Sequence, residues 1–148
     1  MGKYVAQASM LIRRPPAEVF DAFVDPGKLT LFWLDAASGP LAAGAKVEWH
    51  FMVPGAVEAV TVTAFEPPKR LAFAWASGIS VDMRFDPHDK DGTRLAVEAR
   101  GFGGDDAVAQ VANTTEGFSI VLCDLKTLLE TGSSANLVRD KAALIAAG

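Results

Sequence analysis

Five consecutive segments between residues 46 and 100 place apolar side chains at every second position. Within 57–66, for example, Val60 and Val62 alternate with Thr61 and Thr63. A period of two predicts strands with one buried face. Short turn sequences rich in Gly, Pro and Asp separate the segments, so successive strands are expected to pair antiparallel. The predicted strands span 46–53, 57–66, 70–76, 79–85 and 93–100.

The chain then changes to a helical period from about residue 105 to residue 130. The apolar stripe of this long helix is formed by Phe118, Leu122, Leu125 and Leu129. We expect Asp124, Lys126 and Glu130 on the opposite side, toward water. Thr131-Gly132 is a helix stop. Residues 1–132 are thus predicted to form the domain, and 133–148 a tail or one short amphipathic helix.

Before the run of strands, the chain predicts one strand and two short helices. The strand covers residues 4–13 and ends at two prolines, which also preset the backbone for a helix start. Helices are expected over 17–24 and 28–33, followed by a loop over 35–44. The predicted fold class is therefore α+β: a curved antiparallel six-stranded sheet wrapped around a long C-terminal helix, with two short helices after strand 1.

Composition narrows the classes of partner. The 148 residues suit one domain, and a net charge of −4 gives no general attraction to nucleic acid or to anionic membranes. No run approaches the ~20 apolar residues of a membrane span, and the N-terminus lacks the apolar run of a signal peptide. With a single cysteine as well, we expect a soluble, cytoplasmic protein.

No residue pattern typical of catalysis or metal binding is present. His50 and His88 lie far apart, and His50 is expected to face outward beside Trp49. Cys123 has no partner motif of the nucleophilic kind and is expected to be a small buried side chain. Glu58 falls on the same strand face as Val60 and Val62. Because it lies at the start of its strand, we expect its side chain at the solvated rim of the sheet. We therefore predict no catalytic residue, no cofactor and no metal.

Five local motifs, in order, resemble those of one family. The motifs are PPAEVFDAF at 15–23, LFW at 31–33, EPPKRLAFAW at 66–75, GTRL at 92–95 and EGF at 116–118. In these motifs the chain is similar to the START-like (SRPBCC) helix-grip superfamily, in the branch of the homologues of the activator of heat-shock-protein-90 ATPase. Phe118 departs from the family pattern, in which Trp is common at this position.

The resemblance implies an apolar cavity between the sheet and the long helix, holding a small hydrophobic or aromatic molecule. The alternative is that the aromatic side chains between the sheet and the helix simply fill the core. The expected ligand-binding residues are Trp33, Trp49, Phe51, Phe73, Trp75, Met83, Phe85, Phe118 and Leu122.

Two other classes of function stay open. An enzyme of the cyclase, dehydratase or hydrolase kind would need a titratable group in the cavity, with Glu58, His50, Glu48 and Arg100 as candidates. A co-chaperone-like interaction module would need an exposed apolar or charged docking face, and a homodimer is compatible with the sequence. The scarcity of catalytic groups favours binding.

Overall fold

The computed structural model describes residues 3–148 and contains seven strands and four helices within that range. The elements are β1 (Ala6–Ile12), α1 (Pro16–Val24), α2 (Pro26–Phe32), β2 (Leu34–Ala37), β3 (Lys46–Phe51), β4 (Val57–Glu66), β5 (Arg70–Trp75), β6 (Ser80–His88), β7 (Gly92–Arg100), α3 (Ala107–Thr131) and α4 (Leu137–Ala147).

One antiparallel sheet contains all seven strands in the order β1-β7-β6-β5-β4-β3-β2. Strands β3 to β7 form the expected meander, and β1 returns to pair with β7. The predicted α+β fold is confirmed, with a long helix after the last strand and two short helices after the first.

The prediction of six strands is wrong by one, because β2 lies partly within the segment expected to be a loop. Leu34 pairs with Phe51, and the register then shifts before Ala36 pairs with His50. The strand has only four residues, with Leu34 fully buried at its start. Four residues interrupted by an irregularity are too few for a readable alternation of apolar and polar side chains.

Helices α1 and α2 close one end of the sheet through their aromatic residues. Phe20 and Phe23 of α1 lie edge-on to Phe85 of β6, with ring centroids 5.1 and 6.0 Å away. Asp25 separates the helices, and its Oδ1 accepts a hydrogen bond from the Gly27 amide at 2.8 Å. This cap starts α2 and so fixes the position of Trp33, which follows it directly.

The long helix α3 covers the concave face as its stripe predicts, since Phe118, Leu122 and Leu125 are buried. Two neighbouring predictions on this helix are wrong. Cys123 is exposed, and Asp124, expected toward water, is only 1% exposed. The reason is α4, which packs beside α3 and covers the side of the helix that carries Asp124.

The C-terminal end of α3 is held to β1 by a small polar cluster. The Lys126 ammonium donates to the Leu11 carbonyl at 2.7 Å and to Glu130 Oε2 at 2.6 Å. Glu130 Oε2 also accepts the Arg13 amide at 2.8 Å. The Lys126 hydrogen bond, and secondarily that of the Arg13 amide, hold the pKa of Glu130 below its usual value.

This lowered pKa predicts a pH-dependent contribution to stability. A carboxyl whose pKa is lower in the folded state stabilises the fold above its unfolded pKa, and this contribution is lost as pH falls through the folded pKa. Replacing Glu130→Gln should therefore lower the free energy of unfolding at pH 7, by at most about 1 kcal/mol at this partly exposed position. Denaturant titrations should show the difference shrinking as pH falls below about 4.5; a pH-independent difference would contradict this assignment.

Candidate functional site

An apolar cavity of about 310 Å³ opens beside the sheet, between the β3–β4 hairpin, α3 and α4. The end of β5 and the residue that follows α2 complete its wall. The lining residues are Trp33, Phe51, Met52, Val53, Ala56, Trp75, Thr114, Gly117, Phe118, Ile120, Val121, Val138, Lys141, Ala142 and Ile145.

Four aromatic rings form the inner part of this wall. Trp75 and Phe118 are stacked, with an interplanar angle of 2° and centroids 6.2 Å apart. Trp33 lies edge-on to Phe118 at 5.8 Å, and Phe51 edge-on to Trp75 at 5.7 Å. Ring faces and edges at these distances form a rigid apolar surface that suits an aromatic ligand.

Strand pairing places Phe51 and Trp75 on the same face of the sheet. Strand β4 pairs with β3 on one side and with β5 on the other. Alternation places Trp49 and Phe51 of β3 on the same face as Phe73 and Trp75 of β5, so the rings contact one another across β4. The aromatic residue that comes later is Phe51 in β3 and Trp75 in β5. Both lie at the open end next to α4 and line the cavity.

Of the nine predicted ligand-binding residues, the structure brings four to the cavity and five to the core. Trp33, Phe51, Trp75 and Phe118 line the cavity. The other five do not line it, and all are at most 1% exposed: Trp49, Phe73, Met83, Phe85 and Leu122. The periodicity of a strand or helix gives the face on which a side chain lies but not its depth, so it does not separate the two groups. Ligand contact by any of the nine residues stays a prediction.

Sequence reasoning missed the contribution of α4, whose range was predicted as a tail or a short helix outside the domain. Val138, Ala142 and Ile145 line the cavity from this helix. Their spacing of four and three residues is the signal that could have found them, because it places them on one helical face. The hairpin residues Met52, Val53 and Ala56 carry no comparable signal.

A buried carboxylate fixes the connection between α3 and α4. Asp124 Oδ1 accepts the Ser134 hydroxyl at 2.8 Å and the Ala135 amide at 3.1 Å. Two hydrogen bonds to a buried carboxyl group stabilise one specific geometry of this connection. The helix α4 is thereby held where its apolar face completes the cavity.

The titratable groups considered for catalysis lie elsewhere. His50 Nε2 is 2.8 Å from Glu48 Oε1 on the partly exposed outer side of β3. Glu58 Oε1 accepts the Ser77 amide at 3.2 Å, at the rim as expected. Among the lining residues, Lys141 carries a charge and Thr114 a hydroxyl. Within residues 3–148, no group of three or more His, Cys, Asp or Glu side chains is placed to hold a metal ion.

Comparison with known structures supports the fold. Protein SSP2350 from Staphylococcus saprophyticus is 26% identical, with a TM-score of 0.78 over 88% of this chain and 95% of that one. The Aha1 dimer from Colwellia psychrerythraea is 18% identical, with a TM-score of 0.77 over 87% and 98%. DynU16, from the dynemicin biosynthetic locus, is 24% identical, with a TM-score of 0.77 over 88% of this chain and 48% of that one.

A comparison with curated proteins found no match to the chain. None of the helices in the described part, residues 3–148, has the length and apolar character needed to cross a membrane.

The family model described as Activator of Hsp90 ATPase homolog 1-like protein matches residues 13–130, which extend from the end of β1 through most of α3. The chain therefore belongs to the family of Activator of Hsp90 ATPase homolog 1-like proteins, with the helix-grip fold that its motifs predict.

Proposed function

We propose that this protein binds a small apolar or aromatic molecule in the cavity between the β3–β4 hairpin, α3 and α4. The observation that carries the proposal is the cavity itself, about 310 Å³ in volume and lined almost wholly by apolar side chains. This volume lies at the lower end of the range typical of ligand sites, which favours a compact ligand over a long-chain lipid.

The aromatic wall sets the expected affinity. Burying about 250 Å² of apolar ligand surface at ~25 cal/mol/Å² contributes about 6 kcal/mol before the costs of association. Since about 6 kcal/mol corresponds to a dissociation constant of about 40 μM, an apolar ligand without polar anchors should, after those costs, bind more weakly than that.

Catalysis in the same cavity has less support. Acid–base chemistry needs a titratable group within reach of the ligand, and Lys141 is the ionisable side chain among the residues that line the cavity. Binding requires only the apolar wall. Homodimerisation of this chain, with which the sequence is compatible, stays a separate prediction; the Colwellia psychrerythraea relative is a dimer.

Two neighbouring residues of α4 provide a matched test. Ile145 lines the cavity and is 54% exposed, whereas Leu144 is 70% exposed and does not line it. We expect Ile145→Asp to weaken binding of a neutral probe, 2-naphthamide, by about tenfold, because a carboxylate in the apolar wall must be desolvated when the probe binds. Leu144→Asp adds the same charge on the same helix and should leave the affinity within about twofold.

Isothermal titration calorimetry of 2-naphthamide against the wild type and both variants measures this difference. Thermal denaturation of the three proteins checks that each is folded. Equal affinities for the two variants would contradict the cavity as the binding site. The same holds for a wild type that binds the polar sugar glucose as well as it binds 2-naphthamide.

A further inference from the structure

Lys141 places a cation at the edge of an otherwise apolar cavity. It lies one turn of α4 from Val138 and beside Ala142 and Ile145, all of which line the same wall. Its side chain is 35% exposed. A lysine in this situation covers apolar surface with its aliphatic stem and keeps its ammonium group at the wet edge. A ligand seated against the aromatic wall would therefore have a fixed positive charge at the mouth of its site.

The ammonium group already has an anionic partner on the facing helix. Lys141 Nζ is 3.1 Å from Oε1 of Glu116, whose side chain is 55% exposed and which directly precedes the lining residue Gly117. An ion pair this exposed contributes little to stability, because water screens both charges. The carboxylate of Glu116 can thus be replaced at little cost by another anion that arrives with its own apolar body.

We infer that the ligand of this cavity carries one anionic group, a carboxylate or a group of similar size and charge, which pairs with Lys141 while the apolar body lies against Trp75 and Phe118. This inference rests on the proposed function and adds the class of ligand: a compact apolar or aromatic acid. Glu116 pairs with the same ammonium group and links α3 to α4.

A pair of probes that differ in charge alone separates the acid from its neutral counterpart. We take 2-naphthoate and 2-naphthamide, which share the ring system and differ in whether the terminal group is ionised at pH 7. Calorimetric titration of the wild type should show 2-naphthoate binding about three- to tenfold more tightly, the range expected for a charge-assisted hydrogen bond at a partly exposed site.

Variants on both helices locate the origin of this preference. Lys141→Met keeps the length of the apolar stem and removes the charge, so it should abolish the preference for the acid; Lys141→Arg should retain it. Glu116→Gln removes the competing carboxylate and should raise the affinity for 2-naphthoate while leaving that for 2-naphthamide unchanged. Arg139→Met, on an exposed position of α4 that does not line the cavity, removes one positive charge as a control and should keep the preference.

The outcomes distinguish this inference from the proposed function. If both probes bind equally to the wild type, the acidic ligand is excluded and the apolar cavity function stands. If Lys141→Met and Arg139→Met reduce the preference alike, net charge and not Lys141 is responsible, and the inference fails. If Lys141→Met lowers the midpoint of thermal unfolding but leaves the preference for 2-naphthoate unchanged, the ion pair with Glu116 only stabilises the fold and the inference fails. Binding of neither probe contradicts the inference and the proposed function together.

Discussion

Trp49→Ala should lower the free energy of unfolding by about 3–5 kcal/mol, the range for truncating a large buried aromatic side chain. Trp49 is 0% exposed. Its ring centroid lies 5.0 Å from that of Trp33 and 5.1 Å from that of Phe73. The truncation would remove the ring that links α2 to the middle of the sheet, and close packing around it prevents a full collapse of the space.

Trp49→Phe is the matched control for this prediction. The Nε1–H group of Trp49 is buried and has no hydrogen-bond partner among the described residues. An unpaired buried donor is unfavourable by roughly 1–3 kcal/mol. Removing this donor therefore offsets part of the stability that is lost because phenylalanine has a smaller ring than tryptophan. Urea denaturation should therefore give a loss for Trp49→Phe of less than half that for Trp49→Ala. A loss below about 1 kcal/mol for Trp49→Ala would show that this ring is not a core element.

Trp75→Ala should have the opposite balance, with a large effect on binding and a smaller one on stability. Trp75 is only half-buried and lines the cavity, where it stacks on Phe118. Its removal takes away one face of the proposed site, and we expect affinity for 2-naphthamide to fall at least about tenfold. Its loss of unfolding free energy should be smaller than that of Trp49→Ala, since less apolar area returns to water.

Two further variants make the prediction for Trp75 specific. Trp75→Phe keeps an aromatic face and should retain most of the affinity. Phe73→Leu alters the fully buried ring two residues earlier on the same strand face, which does not line the cavity. It should lower stability and leave the affinity within about twofold. If Phe73→Leu weakens binding as much as Trp75→Ala does, Phe73 belongs to the binding site and not to the core alone.

The sequence predicts the meander and the long helix because their patterns extend over many residues. Strand β7 alternates between buried and less buried side chains over nine residues, and the buried stripe of α3 repeats at Phe118, Leu122 and Leu125. Such patterns report which face is buried, and tertiary contacts seldom override them. The short strand β2 has too few residues for this, and its position depends on pairing with β3.

The site was harder to predict because it depends on where α4 lies. Trp49 and Trp75 share a sheet face and a residue type, yet the first is core and the second lines the cavity. Asp124 and Cys123 show the same dependence: a carboxylate is buried and a thiol is exposed because α4 covers one side of α3 and not the other. Residue character along α3 carries no information on which side a later helix will cover.

Nuclear Overhauser effects between bound 2-naphthamide and the protein locate the ligand without altering a residue. We expect contacts from the naphthalene protons to the rings of Trp75 and Phe118, and to the methyl groups of Val138 and Ile145 on α4. Contacts confined to residues outside this set, such as the exposed Leu31 of α2, would contradict a binding site between the hairpin, α3 and α4.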